Sequence, residues 1–230
     1  MLPVTEELCD KWLAVTGCPV MESSYGLTET HTLDTLMPWH MVKWGAQGIP
    51  IPENDIKITD PQDPYKELPY GEQGEIYVKG PGTFLGYWNK PEASAEALVD
   101  GYVRTGDMGM IDEDGYLYWY GRFKEMIKVS GVSVFPEDVE ALLANYPAVA
   151  ESAVIPVPDE RRGEVVKAFI VLKPEFKGKV SEEEITKWSI DNMSPHKVPR
   201  FVEFRDALPK SGTNKLLRRE LRDEETEKRG

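Results

Sequence analysis

The chain has 230 residues, 40% hydrophobic and 29% charged, so it can form one large domain or two of ordinary size around an apolar core. Its net charge of −13 argues against general nucleic-acid binding, because phosphate contacts need clustered lysine and arginine. The sequence contains no run of eighteen apolar residues, so it predicts no membrane span. Its first residues lack the pattern of a secretory signal, so none is expected there. Cys9 and Cys18 match no disulfide or zinc framework, and we expect buried free thiols in a reducing cytoplasm.

The net negative charge comes entirely from the first half of the chain. Residues 1–121 contain 20 acidic and 7 basic side chains, whereas residues 122–230 contain 20 of each. Such a change in composition favours a domain boundary between these two segments.

The first predicted helix runs from Thr5 to Thr16. Thr5 can cap it, and Leu8, Trp12 and Leu13 fall on one face at helical spacing. The next segment, Cys18–Met21, is predicted as a short buried strand.

A polar loop over residues 22–30 has side chains that suit a nucleotide. Tyr25 offers a flat ring on which adenine can stack, and the Thr28 hydroxyl can hydrogen-bond a phosphate. Glu29 can hold Mg²⁺, a hard cation that prefers oxygen ligands. Gly26 gives the loop a flexible point. Taken alone, the same residues also fit a capped loop before a helix.

Short segments punctuated by glycine and proline over residues 45–120 predict a small distorted β-barrel. A tight turn is expected at Asp112–Gly115 and a short helix at Pro91–Leu98. The aromatic residues of Gly86–Asn89 are expected to pack rather than to bind a ligand. The predicted strands are Asp55–Thr59, Gly74–Lys79, Gly101–Arg104 and Tyr116–Tyr120.

Asp107 is a further residue that suits a nucleotide. Asp107 follows Thr105 and Gly106 in a predicted turn, where a carboxylate can accept hydrogen bonds from two ribose hydroxyls. An aspartate after glycine is also an ordinary turn residue.

The segment Gly121–Gly131 combines three cations with two glycines, and on residue types alone it fits a short basic strand that enters a new domain.

The second half alternates helices and strands, which predicts a compact α+β domain. Lys215 lies in a polar loop before the last helix, where a surface lysine is the plain interpretation. The predicted elements are an amphipathic helix at 137–144 with Val139, Leu142 and Leu143 buried, strands at 150–157, 165–172 and 198–204, a helix opened by a Ser181–Glu184 capping box and carrying Ile185 and Trp188, and a charged helix at 216–228.

Four segments in chain order resemble the motifs of the adenylate-forming (AMP-binding) enzymes, and acyl-CoA synthetases in particular. The resemblance implies a mixed α/β and α+β fold. Residues 1–121 would form the end of the large domain, with the barrel, and residues 122–230 the mobile C-terminal domain. The segments are Tyr25–Thr30, Tyr102–Asp107, Gly121–Gly131 and Pro209–Arg219.

The resemblance also implies residue roles. Asp107 would bind the ribose with help from Arg122, and Glu29 would bind the metal. Asn214 replaces a usual glycine, and we expect it to adopt the left-handed backbone that the loop needs. The remaining implied roles are nucleotide binding by Tyr25, Gly26 and Thr28, catalysis by Lys215 and Lys128, a hinge at Lys124, and room for the pantetheine arm at Gly131.

The implied reaction activates a carboxylic acid, a fatty acid, with ATP and Mg²⁺ to give acyl-AMP, and then transfers the acyl group to CoA. The family's phosphate loop is absent before Tyr25, so we expect the C-terminal part of such an enzyme, with little or no ligase activity alone. Alternatives are a non-catalytic nucleotide- or CoA-binding module, one subunit of a split enzyme that binds the N-terminal half, or a domain that loads a carrier protein. Uncovered apolar residues such as Trp12 and Leu13 predict a homo-oligomer.

Overall fold

The structure, a computed structural model, describes residues 6–20 and 24–229. The chain forms two compact units, one ending at Phe123 and the other beginning at Lys124. The predicted boundary lies two residues earlier, so Arg122 belongs to the same unit as Asp107. No helix in the described ranges is both long and apolar enough to cross a membrane.

A barrel-like antiparallel sheet forms the body of the first unit. Its strand order is β4-β3-β5-β7-β6, and β8 pairs with the later residues of β7, Asp107–Ile111. Buried isoleucine, valine and leucine side chains fill it, which confirms the predicted barrel. The strands of this unit are β1 (Thr35–Leu36), β2 (Ile49–Pro50), β3 (Asp55–Asp60), β4 (Asp63–Glu67), β5 (Gly74–Lys79), β6 (Leu98–Val99), β7 (Tyr102–Ile111) and β8 (Leu117–Arg122).

Two helices accompany this sheet, α1 (Glu6–Thr16) and α2 (Pro91–Ala97). Both were predicted within one residue, although the proposed cap Thr5 lies outside the described residues. The strand predicted at Cys18–Met21 is wrong over its described part, because residues 18–20 form no strand and Cys18 is exposed. Only Cys9 is therefore a buried thiol among the two cysteines.

A mixed sheet forms the second unit. Its order is β10-β9-β12-β11, with β13 parallel to β12 and every other pairing antiparallel. The strands are β9 (Ile127–Val129), β10 (Val132–Val134), β11 (Val149–Asp159), β12 (Gly163–Leu172) and β13 (Phe201–Phe204), and the helices are α3 (Pro136–Leu143), α4 (Glu182–Asn192) and α5 (Arg218–Arg229).

Helices cover both faces of this second sheet, because β11 and β12 carry apolar side chains at successive positions, which point to opposite faces in turn. On one face, Val154 and Ala168 pack with residues of α3 and α4. On the other face, Ile155 and Phe169 pack with Leu221 of α5. The compact α+β arrangement predicted for this half is confirmed.

A capping box starts helix α4 as the sequence predicts. The Glu184 amide donates to Ser181 Oγ at 3.2 Å, and the Ser181 amide donates to Glu184 Oε2 at 2.8 Å. These bonds satisfy amides that have no partner within the helix, so the helix begins at a defined residue and Ile185 is placed in the core.

Candidate active site

Asp107 lies on a β-bulge within β7, not in the turn that the sequence predicts. Glu75 and Tyr77 of β5 are separated by one residue, whereas their partners Met108 and Arg104 in β7 are separated by three. The first residue of this bulge, Thr105, donates its hydroxyl to the Ile76 carbonyl at 2.8 Å. Extra residues on one strand re-aim a side chain, and here the bulge sets the direction of the Asp107 carboxylate.

The Asp107 carboxylate is buried and held from two sides. Its residue is 3% exposed, and Oδ2 accepts a hydrogen bond from the Tyr25 hydroxyl at 2.8 Å. Arg122 is the cross-strand neighbour of Asp107 on β8, with Nε 3.4 Å from Oδ1. A buried carboxylate needs such partners, because an unpaired charge in a low dielectric is costly.

Burial and the nearby Asp107 charge raise the pKa of the Tyr25 hydroxyl well above its ordinary value, so Tyr25 remains a donor. Only 7% of Tyr25 is exposed. The ring therefore offers little surface to an adenine in this structure, and stacking on Tyr25 remains a prediction. The structure instead assigns the hydroxyl a part in orienting Asp107.

Gly26 follows in a loop that closes on itself. A Cβ atom at Gly26 would lie 2.2 Å from the Thr32 carbonyl oxygen, so only glycine fits here. The loop is closed by the Asp34 amide, which donates to the Tyr25 carbonyl at 2.8 Å, and by the Tyr25 amide, which donates to Thr35 Oγ1 at 2.8 Å. The predicted flexible point is thus a fixed close approach of two backbone segments.

Thr28 and Glu29 lie in a short 3-10 helix, Thr28–Thr30, at the tip of this loop. The Thr28 side chain is exposed, and Glu29 is half-buried. Glu29 Oε1 accepts a hydrogen bond from the Tyr87 hydroxyl at 2.8 Å, and this bond raises the pKa of Tyr87. The Phe84 amide also donates to the Glu29 carbonyl at 2.8 Å. The Glu29 backbone is therefore held by Phe84, and one oxygen of its carboxylate is held by Tyr87.

Tyr87 contacts the candidate metal ligand Glu29, and the sequence does not predict this contact. The sequence predicts that its segment, Gly86–Asn89, is a turn whose aromatic residues pack against the protein. That is wrong for Trp88, which is 89% exposed, while the Tyr87 ring packs edge-on against Phe84 and its hydroxyl reaches Glu29. Local sequence carries no signal for this contact, because the two residues are 58 positions apart.

In the second unit, Lys215 lies in an exposed loop between β13 and α5. The Ser211 amide donates to the Lys215 carbonyl at 2.8 Å, and the Lys215 amide donates to Ser211 Oγ at 3.2 Å. Asn214 has φ +62°, so the left-handed backbone predicted there is confirmed. The backbone of the loop is thus ordered, while the Lys215 side chain points to solvent.

Lys128 and Gly131 belong to one hairpin of the second unit. Ser130 and Gly131 form its two-residue turn, with φ values of +51° and +84°. Such a turn has a positive φ at both positions, which explains the glycine, and a Cβ there would meet nothing within 4 Å. Lys128 is exposed, with Nζ 3.2 Å from Ser133 Oγ. Lys124 is exposed in the 3-10 turn Phe123–Glu125.

Comparison with known proteins decides the family. Residues 2–88 match the model of the AMP-binding enzymes, and residues 138–215 match that of the AMP-binding enzyme C-terminal domain. A long-chain-fatty-acid–CoA ligase of Yersinia pestis is 42% identical over 225 residues, which are 97% of this chain. The chain belongs to the adenylate-forming family. It spans 39% of the length of that ligase.

Two further adenylate-forming relatives are similar to nearly the whole chain, one in its solved structure and one in its sequence. O-succinylbenzoate coenzyme A synthetase from Bacillus subtilis, in complex with ATP and a magnesium ion, has a TM-score of 0.85 at 33% identity and covers 97% of this chain and 45% of its own. A fatty acid–[acyl-carrier-protein] ligase of Streptomyces coeruleorubidus is 39% identical over 226 residues, with 96% of this chain and 43% of its own length covered.

Proposed function

We propose that this adenylate-forming chain takes part in the ATP-dependent activation of a fatty acid to acyl-AMP and in transfer of the acyl group to CoA. The observation that carries the proposal is the buried Asp107 carboxylate, held by Tyr25 and Arg122 on a bulged strand. Because the chain spans 39% of the length of the Yersinia pestis ligase, we propose that it has little or no ligase activity alone.

Asp107 binds the ribose in this proposal. A fixed carboxylate can accept hydrogen bonds from two adjacent hydroxyls, and such charge-assisted bonds are stronger than neutral ones. Arg122 is half-exposed beside it and can add a donor to the nucleotide. Tyr25 and Gly26 contribute by fixing the loop and the carboxylate.

Thr28 and Glu29 face the phosphates in this proposal. The described residues contain no cluster of three metal-binding side chains. A single oriented carboxylate nevertheless fits Mg²⁺, which keeps several waters and takes its other ligands from substrate phosphates. When bound, the metal neutralises charge on those phosphates. The Tyr87 hydroxyl orients the Glu29 carboxylate for that contact, and Thr28 donates to a phosphate oxygen.

The second unit supplies cations in this proposal. The ammonium group of Lys215 offsets the negative charge that builds between the incoming carboxylate and the phosphate. Its exposure and the ordered backbone around it suit a side chain that must reach a substrate. Lys124 acts as the hinge. Lys128 and the open turn at Gly131 serve the thioester step, in which the CoA thiol attacks the acyl carbon and AMP leaves.

Calorimetric titration with AMP, ATP plus Mg²⁺, and CoA tests the nucleotide part. We expect AMP to bind the wild type, and Asp107→Ala to weaken binding by roughly a hundredfold, because two charge-assisted hydrogen bonds are lost. Asp114→Ala is the matched control, since Asp114 is an exposed carboxylate in the same unit. Asp107→Asn keeps the shape of the side chain and guards against loss of folding.

Equal AMP affinity in wild type and Asp107→Asn would refute the ribose role. AMP binding without turnover, even after addition of a chain that carries the phosphate loop, would favour a non-catalytic nucleotide-binding module. Restored turnover with that chain would favour one subunit of a split enzyme.

A carrier protein is the second candidate acceptor, because one relative of similar identity is named as a fatty acid–[acyl-carrier-protein] ligase. The two candidates differ in the nucleophile that displaces AMP, which is the thiol of free CoA or that of a protein-bound pantetheine. Measurable CoA binding by this chain, lost in Lys128→Ala but kept in Lys187→Ala, would favour CoA.

A further inference from the structure

A partly buried arginine lies three residues after Lys215 and takes no part in the proposed chemistry. Arg218 is the first residue of α5, and its side chain is 16% exposed. Its Nη1 lies 3.0 Å from Glu125 Oε2 and 3.0 Å from Glu137 Oε1, and its Nη2 lies 2.7 Å from Glu140 Oε2. One guanidinium thus joins three separate carboxylates.

These carboxylates come from two elements, the 3-10 turn at the proposed hinge and helix α3. Glu125 ends the 3-10 turn that begins at Phe123, directly after Lys124. Glu137 and Glu140 lie on α3, and Glu140 Oε1 also accepts a hydrogen bond from the Val154 amide at 2.8 Å. The cluster therefore links α5, α3 and the segment at the proposed hinge through one side chain.

The cluster is more than a surface ion pair. All three glutamate side chains are at most 20% exposed, so their contacts with Arg218 are little screened by solvent. The other ion pair at this loop joins Lys210 to Glu151, and its side chains are 30% and 32% exposed. Exposed pairs contribute little, whereas removing one partner of a buried cluster leaves uncompensated charge. Arg218 is therefore the stronger of the two anchors.

We propose that Arg218 is a positioning residue for Lys215: by clamping the loop exit to Glu125, it fixes the catalytic-lysine loop to the segment that follows Lys124. Among the described residues, the segment 209–217 is otherwise held by backbone hydrogen bonds, by the Ser211 hydroxyl, by the Lys210–Glu151 pair and by packing of Leu216 against the core. The proposal rests on the proposed role of Lys215, but the clamp itself exists without a ligand and can be measured in the free protein.

Hydrogen–deuterium exchange of the full chain tests the clamp without any ligand. We expect Arg218→Ala to raise exchange at the Ser211, Asn214 and Leu217 amides by about tenfold, because local opening costs less without the anchor. Arg219→Ala is the matched control, since Arg219 is the next residue, is 88% exposed and has only a 3.7 Å contact with Asp223. Amides of the β11–β12 ladder serve as the internal standard for folding.

Glu125→Ala gives a second variant that keeps the two contacts to α3. We expect it to loosen the same loop amides while the β11–β12 amides stay protected. Unchanged loop exchange in both variants, or a loss of protection spread equally over the whole unit, would overturn the proposal in favour of a purely structural ion cluster.

A spectroscopic signature of Lys215 completes the test. Reductive ¹³C-methylation gives each lysine its own resonance, and Lys215→Arg assigns the one of interest. We expect that resonance to shift in Arg218→Ala and in Glu125→Ala but not in Arg219→Ala. Failure of AMP to bind would count against the proposed function and would leave these measurements interpretable, whereas an unmoved Lys215 resonance would count against the clamp.

Discussion

Asp107 and Arg122 face each other across strands β7 and β8, with 3.4 Å between Asp107 Oδ1 and Arg122 Nε. The carboxylate is buried, whereas the Arg122 side chain is 49% exposed. The pair thus places a fixed, buried acceptor beside an accessible donor, and the proposed ribose contact rests on this pair.

Arg122→Ala should weaken AMP binding by about tenfold, as expected for one lost charge-assisted hydrogen bond. Arg104→Ala is the control, because Arg104 lies on the same sheet with a similar exposure and pairs with Glu75 instead. Isothermal titration gives both affinities. Equal losses in the two variants would indicate a general effect of charge rather than a contact of Arg122.

Tyr87→Phe should reduce the contribution of Mg²⁺ to ATP binding by several-fold, because the Glu29 carboxylate loses the donor that orients it. AMP affinity without metal should stay the same. The measurement is ATP titration with and without Mg²⁺, with Tyr70→Phe, an exposed tyrosine, as control. An equal effect with and without metal would argue against Glu29 as the ligand.

Gly26→Ala should destabilise the first unit by roughly 3 kcal/mol, because the new methyl group meets a backbone carbonyl that cannot move aside. Gly71→Ala should cost only about 1 kcal/mol, since Gly71 has φ +84° but nothing within 4 Å of an added Cβ. Urea unfolding of the two variants compares these costs. Similar midpoints would show that the loop at Gly26 yields more easily than its geometry indicates.

Glu137 gives the second unit a dependence on pH. Burial raises its pKa to about 7 from the ordinary 4.5, against the opposing effect of Arg218. Between these values the folded state holds a proton that the unfolded state has lost, so the free energy of unfolding falls as pH rises through about 7, by roughly 3 kcal/mol. Burial also raises the pKa of Glu140, which acts in the same direction.

Glu137→Gln should flatten this pH dependence, because glutamine has no proton to lose. Urea unfolding near pH 5 and near pH 8 can be followed at Trp188, the only tryptophan in the second unit, by 5-fluorotryptophan NMR. Glu160→Gln, at an exposed turn, is the control. A slope that is unchanged in Glu137→Gln would assign the pH dependence to other groups.

Association of the chain is the last prediction. Trp12, Leu13 and Val15 of α1 are 52%, 46% and 86% exposed, and exposed apolar groups of this kind favour contact with another surface. Multi-angle light scattering should give a dimer or higher oligomer, and Trp12→Gln with Leu13→Gln should shift it towards monomer. Trp88→Gln, at a separate exposed tryptophan, should not. A monomeric wild type would contradict the prediction.

The sequence correctly predicted those elements whose structure depends on residues close together in the chain. The strand Gly74–Lys79 has the predicted bounds, the Ser181 capping box forms, and Asn214 adopts the left-handed backbone. In each case the determining residues lie within a few positions of one another. Strand β4 was not predicted, because its sequence contains proline and most of its residues are exposed, so it shows no apolar alternation.

Long-range pairing decided the features that sequence reasoning could not supply. Thr105–Asp107 has the composition of a turn, but strands on both sides keep it in β7 as a bulge. The contacts of Tyr87 with Glu29 and of Arg218 with Glu125 join residues 58 and 93 positions apart. The family resemblance supplied the candidate roles, and the structure supplied the partners that orient them.

The bulge at Thr105–Asp107 also limits how the number of residues at this point can vary among related proteins. Side chains on a strand alternate between faces, so a shift of one residue reverses the face on which every later side chain lies. A related chain with one residue fewer between Arg104 and Asp107 would keep its aspartate in an alignment and yet turn the carboxylate away from its Arg122 counterpart. Related proteins must therefore preserve the spacing at this bulge, and not only the acid, to keep the carboxylate facing its arginine.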